Sequence, residues 1–179
     1  MSALTVQDLK VLIVDDDRSM RTLIRNVLMQ LGVQDVSDVP DGAQALEDIR
    51  AFRPNLILCD MKMEPVGGIE FVRQLRADKD SVFRFVPIIM ITAYADLNTV
   101  AEARDAGVTE FMAKPLSAAA LEKRINRVLK NSRPFVEAPD FAGPDRRRNQ
   151  DETFGGAERR AMEPNYIESP LASGAPSLP

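Results

Sequence analysis

The chain has 179 residues, a formal net charge of −4 and no histidine. Without a broad basic surface to neutralise phosphates, nucleic-acid binding is not expected. Without histidine, a Ser-His-Asp triad, a His-based zinc site and an internal phosphohistidine are all excluded. The single Cys59 cannot form an internal disulfide and reads as a small buried hydrophobe inside a strand. The first residues lack the basic and apolar regions of a signal peptide, and no apolar run approaches the ~20 residues that span a bilayer. A cytoplasmic protein without membrane insertion is expected.

In chain order, residues 10–14 predict a first strand, closed by Asp15, Asp16 and Asp17. Met20, Leu23, Ile24, Val27, Leu28 and Leu31 then recur at helical spacing as one apolar face, with Gly32 placed to end the helix. A short second strand lies within 33–39. Asp41-Gly42-Ala43-Gln44 resembles a capping box opening a helix that runs towards Phe52. Residues 56–60 predict a third strand ending at Asp60. The loop Met61 to Gly68 leads to a helix with Ile69, Val72 and Leu75 inward. Pro87 opens a fourth strand, Ile88 to Thr92. Asp96 caps the next helix and Gly107 ends it. Residues 108–113 predict a fifth strand running into Lys114-Pro115. Ser117 caps a last helix with Leu121, Ile125, Val128 and Leu129 inward.

Short apolar runs alternating with helices predict an α/β fold: a five-stranded parallel sheet, doubly wound, in the flavodoxin-like order 2-1-3-4-5. Past residue 131 the composition changes. Seven of the twelve prolines and four of the nine glycines lie in 131–179, and apolar periodicity stops. Residues 1–130 are read as one folded domain and 131–179 as a mostly disordered tail. The tail's aromatics, set among prolines and charges, suit docking on a partner or on the domain itself; the alternative is a solvated linker.

In an open parallel sheet, ligands bind beyond the carboxyl ends of the strands. That rule gathers Asp15, Asp16, Asp60, Thr92 and Lys114 in one crevice. Two carboxylates ~5 Å apart repel by roughly 3 kcal/mol at an effective dielectric of ~20. A hard cation such as Mg²⁺ relieves that repulsion and takes carboxylate oxygens readily. Phosphoryl transfer needs mainly positioning and charge neutralisation. Lys114, the Thr92 hydroxyl and a backbone N–H near Met61 can supply contacts to a phosphoryl group, with Asp60 as its acceptor. Asp17 reads more readily as a helix cap than as a ligand. The Met61/Met63 pair reads as loop packing, since thioethers suit soft metals.

Val14-Asp15-Asp16, Asp60 after the third strand, Thr92-Ala93 after the fourth and Lys114-Pro115 after the fifth resemble the receiver domain of two-component response regulators, most closely the single-domain chemotaxis type. The resemblance covers about residues 8–130 and carries the strand order with it. It implies that Asp60 is the phosphoacceptor and that Asp15, Asp16, Asp60 and the Lys62 backbone carbonyl hold Mg²⁺. It implies that Lys114 contacts the phosphoryl group, that Thr92 and Phe111 form the switch, and that Lys62 and Tyr94 tune dephosphorylation. Phe111 also reads as core packing.

The implied protein is a switch in a phosphorelay, not a metabolic enzyme. It is phosphorylated by a histidine kinase or histidine phosphotransfer protein. Its output surface of fourth helix, fifth strand and fifth helix would meet a downstream protein target; the alternative is a phosphate shuttle or sink. A monomer or weak phosphorylation-dependent dimer is expected. Two positions depart from the family pattern: Glu64 stands where proline is usual, with Pro65 next, and Gly67 replaces an acidic or polar residue. A remote rival is a haloacid-dehalogenase-type phosphatase, for which Asp15-x-Asp17 would supply nucleophile and general acid. That fold needs a late acidic pair after a further strand, and none is legible after Lys114.

Overall fold

The computed structural model describes residues 5–93, 96–130, 134–138, 141–145 and 165–167. Five parallel strands form the main sheet: β1 (Lys10–Val14), β2 (Asp35–Val39), β3 (Leu56–Asp60), β4 (Ile88–Thr92) and β5 (Glu110–Ala113). Their order is β2-β1-β3-β4-β5, the order that the family resemblance implies. The helices are α1 (Arg18–Gln30), α2 (Gly42–Phe52), α3 (Gly68–Ala77), α4 (Leu97–Ala106) and α5 (Ala118–Lys130).

The period of two along each strand divides the core. Val11, Ile13, Leu56, Leu58, Ile89 and Ile91 pack against α1 and α5. Leu12, Val14, Ile57, Cys59, Ile88 and Met90 pack against α2, α3 and α4. Because both faces are covered, β1, β3 and β4 are nearly continuous apolar runs rather than alternating ones.

Helix ends follow local chemistry. Asp17 caps α1, its carboxylate accepting from the Ser19 and Met20 N–H groups at 2.8 and 3.4 Å. Asp41 caps α2 by accepting from Ala43 and Gln44. Asp96 accepts from the Thr99 N–H at 2.9 Å at the start of α4, and the Ser117 hydroxyl accepts from Ala120 ahead of α5. Gly107 ends α4 at φ 103°, a conformation that disfavours side chains.

Two helix faces differ from the periodic expectation. On α1, Ile24, Val27 and Leu28 are buried, but Leu23 is 45% exposed. It lies at the margin of the buried stripe. On α3 the buried set is Phe71, Val72, Leu75 and Arg76, while Ile69 packs only at the edge.

Among the described residues of the span 131–179, read from composition as mostly disordered, lie three further strands. They are β6 (Phe135–Ala138), β7 (Phe141–Pro144) and β8 (Asn165–Ile167), in an antiparallel sheet of order β7-β6-β8. Strands of three or four residues are too short to leave a periodic signal, and their stability comes from what they dock on. Phe135 is 1% exposed, packed edge-on against Phe85 with ring centroids 5.7 Å apart.

Candidate functional site

The carboxyl ends of β1, β3, β4 and β5 bring Asp15, Asp60, Thr92 and Lys114 together. β1 lies beside β3, β3 beside β4 and β4 beside β5. The Lys114 N–H donates to the Thr92 carbonyl at 2.7 Å, fixing the end of β5 to that of β4. The Lys114 ammonium then stands 2.7 Å from Asp60 Oδ1 and 3.4 Å from Asp15 Oδ2. Asp60 is 7% exposed and Asp15 1%.

The remaining carboxylate oxygens are also held. Asp15 Oδ1 accepts from the Asp17 N–H at 2.8 Å, and Asp60 Oδ2 from the Lys62 N–H at 2.9 Å. Burial raises the Asp15 carboxyl above its ordinary range; the Asp17 N–H opposes that shift and the nearby Asp60 charge adds to it. Burial alone would lower the Lys114 ammonium, but its bonds to Asp60 and Asp15 outweigh that and raise it, so it stays charged at neutral pH. Burial, with the charges of Asp60 and Asp15, pushes the Cys59 thiol up. Cys59 is a core residue, as its place within a strand predicted.

The N–H expected near Met61 is Lys62's. That of Met61 itself donates to the Ile91 carbonyl at 3.1 Å, continuing the sheet pattern past Asp60. The Met61 side chain reaches the site instead: the buried Thr92 hydroxyl donates to Met61 Sδ at 3.7 Å. No sequence signal marked Met61 for this, because the contact depends on how the side chain after β3 turns towards β4. Gly68 closes the loop against Asp60. Its N–H donates to the Met61 carbonyl at 2.9 Å, and a Cβ there would fall 2.1 Å from the Asp60 carbonyl oxygen. This close approach accounts for glycine at position 68. Glu64–Pro65 and Lys114–Pro115 are cis peptides.

The other expected site residues are placed as follows. Asp16 is exposed at the rim, and Arg21 binds its backbone carbonyl and that of Asp15. The Lys62 side chain is exposed. Phe111 is partly buried against the α2/α3/α4 half of the core. Tyr94 lies outside the described residues. Asp17 caps α1, accepting from Ser19 and Met20, as its position after β1 suggests. Among the described residues no three acidic, histidine or cysteine side chains are grouped to hold a metal ion; Asp16 is exposed, and Lys114 stands against both Asp15 and Asp60. The donor set still fits a hard divalent cation. Two buried carboxylates and nearby carbonyl oxygens are the ligands such an ion takes, with water completing its shell.

The phosphatase rival finds no support in this geometry. The strands after Lys114 form a separate antiparallel sheet rather than extending the parallel one.

Residues 11–126 match the family model described as the response regulator receiver domain. The chain is 32% identical over 128 residues to the chemotaxis protein CheY-3 of Vibrio cholerae, covering 72% of this chain and 97% of that one. It is 33% identical to chemotaxis protein CheY of Pseudomonas aeruginosa, covering 67% and 95%. Among solved structures, Vibrio cholerae CheY4 superposes with a TM-score of 0.63 at 32% identity, over 67% of this chain and 98% of that one. The receiver domain of a sensor histidine kinase from Pseudomonas aeruginosa PAO1 gives 0.61 at 31% identity, over 68% and 98%; that structure has a magnesium ion coordinated in its active-site cleft. No described helix is long and apolar enough to cross a membrane.

Proposed function

The chain belongs to the response regulator receiver family, and on that footing we propose that Asp60 accepts a phosphoryl group and that the change is read by a protein target. The observation that carries the proposal is the lysine bridge: Lys114 Nζ lies 2.7 Å from a buried Asp60 carboxylate that Lys62 N–H also holds. An acceptor carboxylate must approach an anionic phosphoryl group, and a neighbouring ammonium and backbone N–H lower that electrostatic cost.

In the transfer, an Asp60 oxygen attacks phosphorus of a phosphohistidine on a kinase or phosphotransfer protein. The P–O bond forms and the P–N bond breaks. The electron pair leaves with the imidazole, which takes up a proton. Lys114 swings from bridging two carboxylates to neutralising a phosphoryl oxygen, and the Lys62 N–H holds the nucleophile in place. Asp15, Asp16, Asp60 and the Lys62 carbonyl would hold Mg²⁺, which when bound neutralises the carboxylates and the incoming phosphate. The Thr92 hydroxyl leaves Met61 Sδ for a phosphoryl oxygen, and that movement opens space beside Phe111 on β5. The α4–β5–α5 surface thus carries the output, and Lys62 with Tyr94 sets access of water to the acyl phosphate.

Incubation with acetyl phosphate and magnesium should give a hydroxylamine-labile adduct at Asp60, located by mass spectrometry. The Asp60→Asn protein should give none. Equal labelling of the two proteins would refute the assignment.

A further inference from the structure

The end of the sheet opposite Asp60 holds an arrangement that phosphoryl transfer does not use. Two guanidinium groups, Arg76 of α3 and Arg84 of the turn Val82–Phe85, are buried side by side. Arg76 donates to the carbonyls of Gly107, Arg84 and Val86, joining α3 to the C-terminal end of α4. Burial, with the Arg84 charge beside it, lowers Arg76 to about 9, which leaves it charged at neutral pH. Among the described residues Arg84 Nε has no hydrogen-bond partner.

β6 covers this pair. Residues two apart on a strand share a face. Phe135 and Glu137 therefore both point at the receiver. The Phe135 ring lies 5.1 Å from the Arg76 guanidinium carbon, and the Glu137 carboxylate is 2.9 Å from Arg84 Nη1. An aromatic face and a carboxylate are the two groups that satisfy buried guanidiniums. β7 pairs with β6 and lies against both α3 and α4. α5 packs on one face of the main sheet, whereas β6 meets Arg76 of α3 and Arg84, and α3 and α4 pack on the other face. The receiver family model ends at residue 126, ahead of all three strands.

α4 joins the two ends of the molecule. It begins just beyond Thr92 and ends at Gly107, which Arg76 grips. Its buried side chains are only Ala103 and Ala106, whereas α1 buries Ile24, Val27 and Leu28. Two alanines remove much less apolar surface from water than three large aliphatics. α4 is therefore the helix most easily displaced, and contacts at its C-terminal end weigh heavily on its position. The docked strands accompany the arrangement in which Thr92 donates to Met61 Sδ.

We propose that α3, α4 and the Val82–Phe85 turn form a binding site for an aromatic–x–acidic strand, filled by this chain's own Phe135–Glu137, and that its occupancy opposes the phosphorylated arrangement of α4. The second clause rests on Asp60 being the phosphoacceptor. Coupling of this kind is reciprocal: docking reduces phosphorylation at equilibrium, and phosphorylation loosens the strands by the same factor.

The test uses full-length protein. Glu137→Lys sets a third cation against Arg76 and Arg84. Hydrogen exchange of β6 and β7 amides should quicken about tenfold, and Arg84→Glu with Glu137→Lys should restore protection. With acetyl phosphate and magnesium, the Asp60-labelled to unlabelled ratio at steady state should rise about fivefold in Glu137→Lys. Labelling of wild type should in turn quicken exchange in β6 and β7. Unchanged exchange in Glu137→Lys would overturn the site. Faster exchange with unchanged labelling would overturn the coupling. Protection that depends on protein concentration, with dimers in sedimentation, would assign the strand to a second copy and overturn the intramolecular clasp. Wild type that takes no label would sink the coupling together with the phosphoacceptor assignment, while the exchange comparison still decides the site.

Discussion

The two ends of the sheet face the same electrostatic problem with opposite signs. At the carboxyl end, the buried carboxylates of Asp15 and Asp60 share one lysine. At the amino end, the buried guanidiniums of Arg76 and Arg84 lie beside one glutamate, Glu137. What differs is how the remaining charge is met. Arg76 is held by three backbone carbonyls, fixed dipoles that cannot leave. Asp60 is held by the ammonium of one long side chain and by a single N–H. Completion by fixed dipoles gives a structural joint. Completion by one side chain leaves a nucleophile whose partner can turn to an incoming phosphoryl group.

That contrast can be broken most sharply at Lys114. Lys114→Met should slow labelling of Asp60 by about a hundredfold, the usual cost of losing one preorganised electrostatic contact to a developing charge. Its effect on folding should be smaller, and adding Asp15→Asn should recover stability without recovering labelling. Rapid-quench labelling and urea denaturation separate the two. An unchanged labelling rate would mean that the ammonium is not part of the transfer.

Arg76→Met should behave the other way round. It strips hydrogen bonds from the carbonyls of Gly107, Arg84 and Val86 in a buried setting, at a cost of about 3 kcal/mol in urea. Stability, not labelling rate, is the larger casualty. A loss under 1 kcal/mol, on the order of one net hydrogen bond, would mean water replaces the guanidinium freely.

Gly68→Ala probes the rigidity of the carboxyl end, because its Cβ would stand 2.1 Å from the Asp60 carbonyl oxygen. The loop must shift, costing about 2 kcal/mol as overpacked sites do. The midpoint of thermal unfolding should fall by roughly 4–8 °C at about 2–4 °C per kcal/mol. An unshifted midpoint would show that the loop relaxes without strain.

The smallest effect is expected where charges are similarly unequal but water is near. Asp38 accepts from both Arg21 and Arg25 at a partly exposed site. Burial alone would raise its carboxyl, but the Arg25 and Arg21 bonds outweigh burial and hold it below its ordinary 3.8. A folded value below the unfolded one gives stability that is complete above the unfolded value and disappears as pH falls through the folded one. Asp38→Asn should therefore cost about 1 kcal/mol at neutral pH, and the gap should close in strong acid. A gap that stays constant from neutral pH into strong acid would show that the pair contributes through packing rather than charge.

Much of the carboxyl end was legible in the sequence. Apolar runs buried on both faces mark β1, β3 and β4, and a strand that ends in Asp60, Thr92 or Lys114 delivers that side chain to a known edge of the sheet. Caps such as Asp17, Asp41, Asp96 and Ser117 are local chemistry and could be read directly. The contact of Thr92 with Met61 was not legible: the strand order sets β3 beside β4, but which group meets the hydroxyl depends on how the side chains are turned. Nor was the amino end. An arginine at the close of an amphipathic helix normally reads as solvated, and β6 to β8 are too short to show a period.

The order of residues alone therefore settled which groups stand at strand ends and helix starts, because those depend on interactions a few positions apart. Only the tertiary structure decided what became of Arg76, Arg84, Phe135 and Glu137. Burial of the two guanidiniums is tolerable because segments far apart in the chain bring carbonyls, an aromatic ring and the half-buried Glu137 carboxylate to the same place.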